Sequence, residues 1–236
     1  MIDIVFSPKW FNGVDIIFEL ISAIVLVLIA SYSLRSYKFK KNENFRDFAI
    51  AFFILAAAFI AKILTNITIY YNVLETFHVG LLSFTISSIK ASSIFYNGGY
   101  FFYRLLTLIG LYIFITIIDK KETNSLFMIY FIAITTIFST WNYYLFHITS
   151  MLFAGYITYL YFKSYKQREC ELCDKKVNNV KYPLAAFSII SLANALFIFI
   201  KLNSYIYVIA EYMQLLGYII LLYTFIRVIK YGTKKK

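Results

Sequence analysis

Proline occurs twice and glycine eight times in 236 residues, which excludes collagen-like and low-complexity chains. Two cysteines are too few for a disulfide scaffold. Two histidines do not make a bis-histidine haem, since His78 falls in a connecting segment and only His147 lies near a span. Charged residues amount to 15%, below the roughly 25% of soluble domains. No P-loop, Gly-x-Ser-x-Gly, His-Glu-x-x-His or phosphate-binding glycine loop occurs. The expectation is therefore no enzymatic activity, no cofactor and no metal.

What is present is apolar side chain. Hydrophobic residues make up 61% of the chain, against roughly 45–50% in soluble domains. A water-soluble globule of this length has too little interior to hide them. The chain reads as an integral, multi-pass protein of the cell membrane. The first apolar run follows Asp3 and Lys9, has no basic segment ahead of it and contains Asp15 and Glu19. It reads as a retained span, and no removable signal peptide is expected.

A helix needs about 20 apolar residues to cross a bilayer core. Seven spans meet or approach that length: 14–34, 48–70, 99–118, 125–140, 143–163, 183–200 and 205–226. The apolar stretch 125–163 is too long for one crossing, and the polar break Ser139, Thr140, Trp141, Asn142 divides it by a tight turn. The expectation is one all-α domain over residues 1–236, a seven-transmembrane-helix bundle. Segment 72–97 mixes apolar positions with Ser, Thr, His78 and Lys90, and reads as an outer interfacial or re-entrant helix.

Basic residues set the direction. Of 23 Lys and Arg, 18 fall in the loops 35–46, 119–121 and 163–181 and in the tail after residue 226. All these lie on one side under a seven-span count, so the positive-inside rule predicts an N-out, C-in protein. The net charge of +11 then belongs to a cytoplasmic face that meets anionic lipid. No basic helix or aromatic-basic platform accompanies it, so nucleic acid is not expected as a partner.

Ionisable residues inside spans are costly and usually face the bundle interior. Here they are Asp15, Glu19, Lys62, Arg104, His147 and Glu211, and under the deduced direction all lie in the outer half of the bilayer. Helical spacing extends them into polar stripes: Glu19 with Ser22, Lys62 with Asn66, Tyr100 with Arg104, His147 with Ser150, Asn194 with Ser191, and Glu211 with Tyr207, Gln214 and Tyr218. The residues Glu19, Lys62, Asn66, Arg104, His147, Asn194, Glu211 and Gln214 are the candidate ligand-binding set. Glu19 or Glu211 is expected to pair with Lys62 or Arg104. The stripes describe either an outer cavity for a small polar or zwitterionic ligand, or structural ion pairs that fix helix packing. The inner halves, such as 25–29, 50–58, 111–118 and 219–222, are nearly free of polar residues.

Cys170 and Cys173 form a C-x-x-C on the cytoplasmic side. One pair supplies two of the four ligands of structural zinc, so idle reduced thiols are expected. Arg35-Ser36-Tyr37-Lys38, the run from Phe45 to Phe53 and the run from Ala210 to Tyr218 resemble archaeal seven-helix membrane proteins related to the N-terminal sensory region of membrane histidine kinases. The resemblance implies a seven-helix, sensor-like module with an outer ligand pocket, whose signal transduction needs a partner protein; a homo-oligomer is a further expectation. No kinase or other output domain follows the last span in this sequence. Two further readings stand beside it: an accessory subunit of a larger membrane complex, and a small-solute transporter. The apolar inner halves count against the transporter.

Overall fold

A computed structural model describes residues 8–70, 77–79, 82–84, 88–119, 125–169 and 174–233. The described residues form seven α-helices: α1 Val14–Lys40, α2 Glu43–Tyr70, α3 Ser88–Asp119, α4 Ser125–Ser139, α5 Tyr143–Glu169, α6 Asp174–Ile198 and α7 Ser204–Thr233. Six of them carry stretches long and apolar enough to cross a membrane; α4 is the shorter apolar helix. The fold is that of an integral membrane protein.

Local chemistry explains several helix ends. Gly13 turns into α1 at φ 89°, a left-handed conformation that favours glycine. The Asp15 carboxylate accepts the Gly13 and Ile16 backbone N–H groups at 2.9 Å each and places negative charge at the positive end of the helix dipole. α1 closes on Lys41 in the left-handed region, whose N–H returns to the Tyr37 carbonyl. Asn42 and Asn203 open α2 and α7 with side-chain oxygens that accept the N–H groups of Asn44 and Tyr205, as helix N-caps do.

Six helices close a ring in the order α1, α2, α3, α5, α6, α7, and α7 returns to α1. α4 packs outside the ring against α3 and α5. We call the end where α1 begins the upper end, and the end where α1 turns into α2 the lower end. Around the ring α1, α3, α5 and α7 run downward and α2 and α6 run upward, so the neighbours α3 and α5, and α7 and α1, are parallel. α4 runs upward from the end of α3 until its Ser139 carbonyl meets Arg104 of α3.

The lower half is a dry aromatic and aliphatic core. Phe52 packs edge-on against Phe114 at 4.7 Å and Phe225 at 5.3 Å, and Phe114 against Phe187 at 5.6 Å. This agrees with the apolar inner halves expected from the sequence. Two glycines let backbones approach there, as small residues do between membrane helices. A Cβ on Gly110 would stand 2.7 Å from Leu55, and one on Gly217 would stand 2.6 Å from Ile190 and 3.2 Å from the Ala186 carbonyl oxygen.

Two expectations change, and one contact is new. The helices outrun the apolar spans: α1 continues to Lys40, and α6 begins at Asp174 with Pro183 inside it. Polarity ends a span in lipid but does not end a helix. Segment 72–97 is not one helix: strands β1 Phe77–Val79 and β2 Leu82–Phe84 pair antiparallel, and α3 begins at Ser88. Upstream of α1, a single turn Lys9–Phe11 folds Phe11 fully into the bundle against Phe18 and Tyr207. A lone Phe ahead of a span carries no periodicity, so no local pattern marks this plug. Cys170 and Cys173 lie outside the described residues.

Candidate functional site

Lys62 is the centre of the upper half. It lies two turns before the end of α2, on the face that points into the ring, and is buried. Its Nζ donates to Glu211 Oε1 of α7 at 2.6 Å and lies 2.9 Å from Glu19 Oε1 of α1. Burial of three charges is tolerable only with such close pairing, and removing one partner strands the others. Asn66, one turn above Lys62, donates Nδ2 to the same Glu19 oxygen at 2.8 Å and accepts the Tyr100 hydroxyl on Oδ1 at 2.8 Å. The network therefore ties α1, α2, α3 and α7. Glu19 Oε2 has no hydrogen-bond partner and is buried. The Lys62 ammonium also stands 5.5–5.9 Å from the ring centres of Tyr103, Phe197 and Tyr207, positions that suit cation–π attraction.

The expected pairing of acids with bases is thus found on Lys62. Both acids choose it, and neither forms a salt bridge with Arg104. Arg104 instead donates to the Ser139 carbonyl at the end of α4 and lies over the Tyr100 ring at 5.8 Å. The guanidinium lies where the short α4 ends, so it serves a helix C-terminus that the sequence did not place beside α3.

A cavity of about 50 Å³ opens beside this network, room for a few water molecules. Lys62, Arg104 and His147 supply its charged and imidazole groups, and Tyr100, Tyr103, Tyr143 and Tyr207 line it. Phe146, Phe197 and Ile200 complete the wall. Glu19 and Glu211 are absent from the lining, since they sit behind Lys62. The expected charge of both signs is therefore present at the site, but among the described residues the charged groups that line the cavity are cationic. His147 stacks on Phe197 at 4.9 Å and places Nδ1 3.5 Å from Asn194 Oδ1, a long contact. Lys201, in the turn between α6 and α7, sits 5.1 Å above the Tyr143 ring at the upper rim.

Asn194 and Gln214 belong to a second, smaller cavity of about 10 Å³ one level lower, the size of a single water. Ser150, Thr107 and Tyr218 share its wall. Gln214 Oε1 faces no hydrogen-bond partner, while its Nε2 donates to the Tyr218 hydroxyl at 3.3 Å. Below it lies the phenylalanine layer. The candidate set accordingly divides into an ion-paired network (Glu19, Lys62, Asn66, Glu211), a cavity wall (Lys62, Arg104, His147) and a lower pocket (Asn194, Gln214).

Sequence reasoning missed the aromatic wall. Tyr100 and Tyr207 were visible one turn before Arg104 and Glu211, yet tyrosine at the end of a span is ordinarily an interfacial anchor. Tyr103, Phe146 and Phe197 carried no signal in a chain with 47 Phe and Tyr. Among the described residues no group of three or more His, Cys, Asp or Glu is arranged to hold a metal ion. No family model, curated protein or solved structure matches this chain.

Proposed function

We propose that the chain is a receptor-like, sensor-like module of the cell membrane with seven spans, oriented N-out and C-in. A small ligand enters the upper cavity from outside, and the change is passed to the cytoplasmic ends of the helices and on to a partner protein. One observation carries this reading: Lys62 forms part of the cavity wall and is held at once by Glu19 of α1 and Glu211 of α7. A ligand that re-weights those two contacts acts directly on α1 and α7. These helices pack against each other and continue to Lys40 and Thr233 at the lower end.

The orientation is supported by the basic loops. The α1–α2 turn, the α5–α6 connection and the end of α7 share the lower end and hold most of the Lys and Arg. α4 supports the seven-span count, although its 15 residues extend only about 22 Å at 1.5 Å per residue, short of a core of about 30 Å. It connects the lower end of α3 with the upper end of α5, and Leu126, Phe127, Ile129 and Ile134 on it are exposed as lipid requires. The phenylalanine layer below the cavities suits reception better than passage of a solute. The close pairing of Lys62 also favours a second reading, an accessory subunit in which the charges hold the bundle together.

The test is a distance between the lower ends of α1 and α7. Spin labels at Arg35→Cys and Ile226→Cys, with Cys170 and Cys173 replaced by Ser, report it in lipid nanodiscs. Glu211→Gln, which loosens Lys62 from α7, should shift the distance distribution by about 2 Å or more, the scale of interface helix shifts in switching proteins. An unchanged distribution contradicts the receptor-like reading and leaves the accessory-subunit reading.

A further inference from the structure

We infer that the upper cavity takes a small monovalent anion, a short carboxylate or a halide. This inference deepens the receptor-like reading and rests on it for the cavity being a ligand site. The selection comes from the signs of charge that reach the cavity. Arg104 and Lys62 line it and Lys201 stands at its rim, whereas Glu19 and Glu211 are shielded by the Lys62 ammonium. A cationic ligand meets three like charges on its way in, and an anion is drawn along the same path.

The donor inventory agrees. An ammonium has three N–H donors and a guanidinium has five. Lys62 commits donors to two carboxylates, and a third is available in principle on the cavity side. Arg104 places a second cationic group on the cavity wall. Tyr100 and Tyr143 donate their hydroxyl protons to Asn66 and the Ile198 carbonyl, so the neutral donors of the wall are Tyr103 and Tyr207. Size limits the ligand as well, because about 50 Å³ is far below the roughly 150 Å³ cavity that accepts benzene. Formate, acetate or chloride fits; a dicarboxylate or an amino acid with a large side chain does not. The carboxylates set the valence: they lie directly behind Lys62, and each additional negative charge on the ligand adds repulsion in a poorly screened interior.

Those carboxylates also yield a test that a merely cationic surface would fail. Neutralising Glu211 removes one repelling charge while Lys62 keeps Glu19, so anion binding should tighten. The assay is thermal unfolding of the full chain in nanodiscs, with ionic strength held constant by gluconate. Formate, acetate, chloride, sulfate and methylammonium are the probes. Formate, acetate or chloride should raise the midpoint saturably, and comparing them decides between carboxylate and halide. Sulfate and methylammonium should leave it unchanged. Glu211→Gln should lower the half-saturating concentration several-fold, and Arg104→Gln should raise it tenfold or more. Arg104→Lys, which keeps the charge, should fall between them if Arg104→Gln folds poorly. Stabilisation by methylammonium but not by formate, acetate or chloride overturns the anion assignment. So does weaker anion binding in Glu211→Gln, or a wild-type protein that no probe stabilises. The spin-label distances decide the receptor-like reading separately: a shift there with no anion effect leaves the module standing and removes only its ligand class.

Discussion

The two halves of the bundle solve the same packing problem in opposite ways. In the lower half, Phe52, Phe114, Phe187 and Phe225 fill the ring and close it by edge-on contacts. In the upper half the ring is closed by Lys62 and two carboxylates, and space remains beside them. Edge-on aromatic contacts add only about 0.5–1.5 kcal/mol each beyond the area they bury, so the layer rests on their sum and not on any one of them. A buried ammonium between two carboxylates is directional, and it has alternatives: Lys62 can favour Glu19 or Glu211. The difference teaches where movement would start under the receptor-like reading: the aromatic layer would serve as pivot and seal, and the charged layer above it offers one ammonium to two carboxylates.

Substitutions that break one half and spare the other sharpen this contrast. The largest effect is expected for Lys62→Met, which strands two buried carboxylates and should cost about 3–5 kcal/mol of stability. Adding Glu211→Gln should restore part of the loss, a non-additivity that a double-mutant cycle of unfolding free energies reads directly. Purely additive losses would mean that Lys62 and Glu211 do not interact. Asn66→Leu comes next, removing the hydrogen bonds that Asn66 makes to Glu19 and to the Tyr100 hydroxyl and costing about 1–3 kcal/mol.

The lower half should respond only to volume. A methyl at Gly217 meets Ile190 and the Ala186 carbonyl. Overpacking costs about 1–3 kcal/mol, and the gain in helix propensity of about 1 kcal/mol offsets part of it. Gly217→Ala should therefore lose about 1 kcal/mol in a thermal unfolding series. Gly155→Ala, whose Cβ would lie 3.5 Å from Ser191 Oγ, is the smallest change and should gain up to about 1 kcal/mol. Equal responses at the two glycines would mean that the α6–α7 contact is looser than the fold requires.

Much of this was legible in the chain because lipid imposes strong rules. Apolar length located all seven helices, since every backbone group in a bilayer must be satisfied within a helix. The cost of charge in lipid marked Glu19, Lys62 and Glu211 as partners facing inward. Helix ends were less legible, because the charged turns from Arg35 to Lys40 and from Asp174 to Tyr182 remain helical beyond the apolar runs. The role of Arg104 depended on α4 ending beside it, a tertiary fact that no local pattern carries. The tyrosines and phenylalanines around Lys62 were hidden by their own abundance.

The contrast between a hydrated upper half and a dry lower half is tested most directly by cysteine accessibility. In a background with Cys170→Ser and Cys173→Ser, single cysteines at Ile200 and Tyr143 report the cavity, and single cysteines at Phe52 and Phe225 report the aromatic layer. A small, charged, membrane-impermeant thiol reagent is applied separately to each side of oriented membranes. The account predicts rapid labelling of positions 200 and 143 from the outside, and slow or no labelling of 52 and 225 from either side. Labelling at 52 or 225 at rates like those at 200 would contradict it, as would positions 200 and 143 reacting only from the inside.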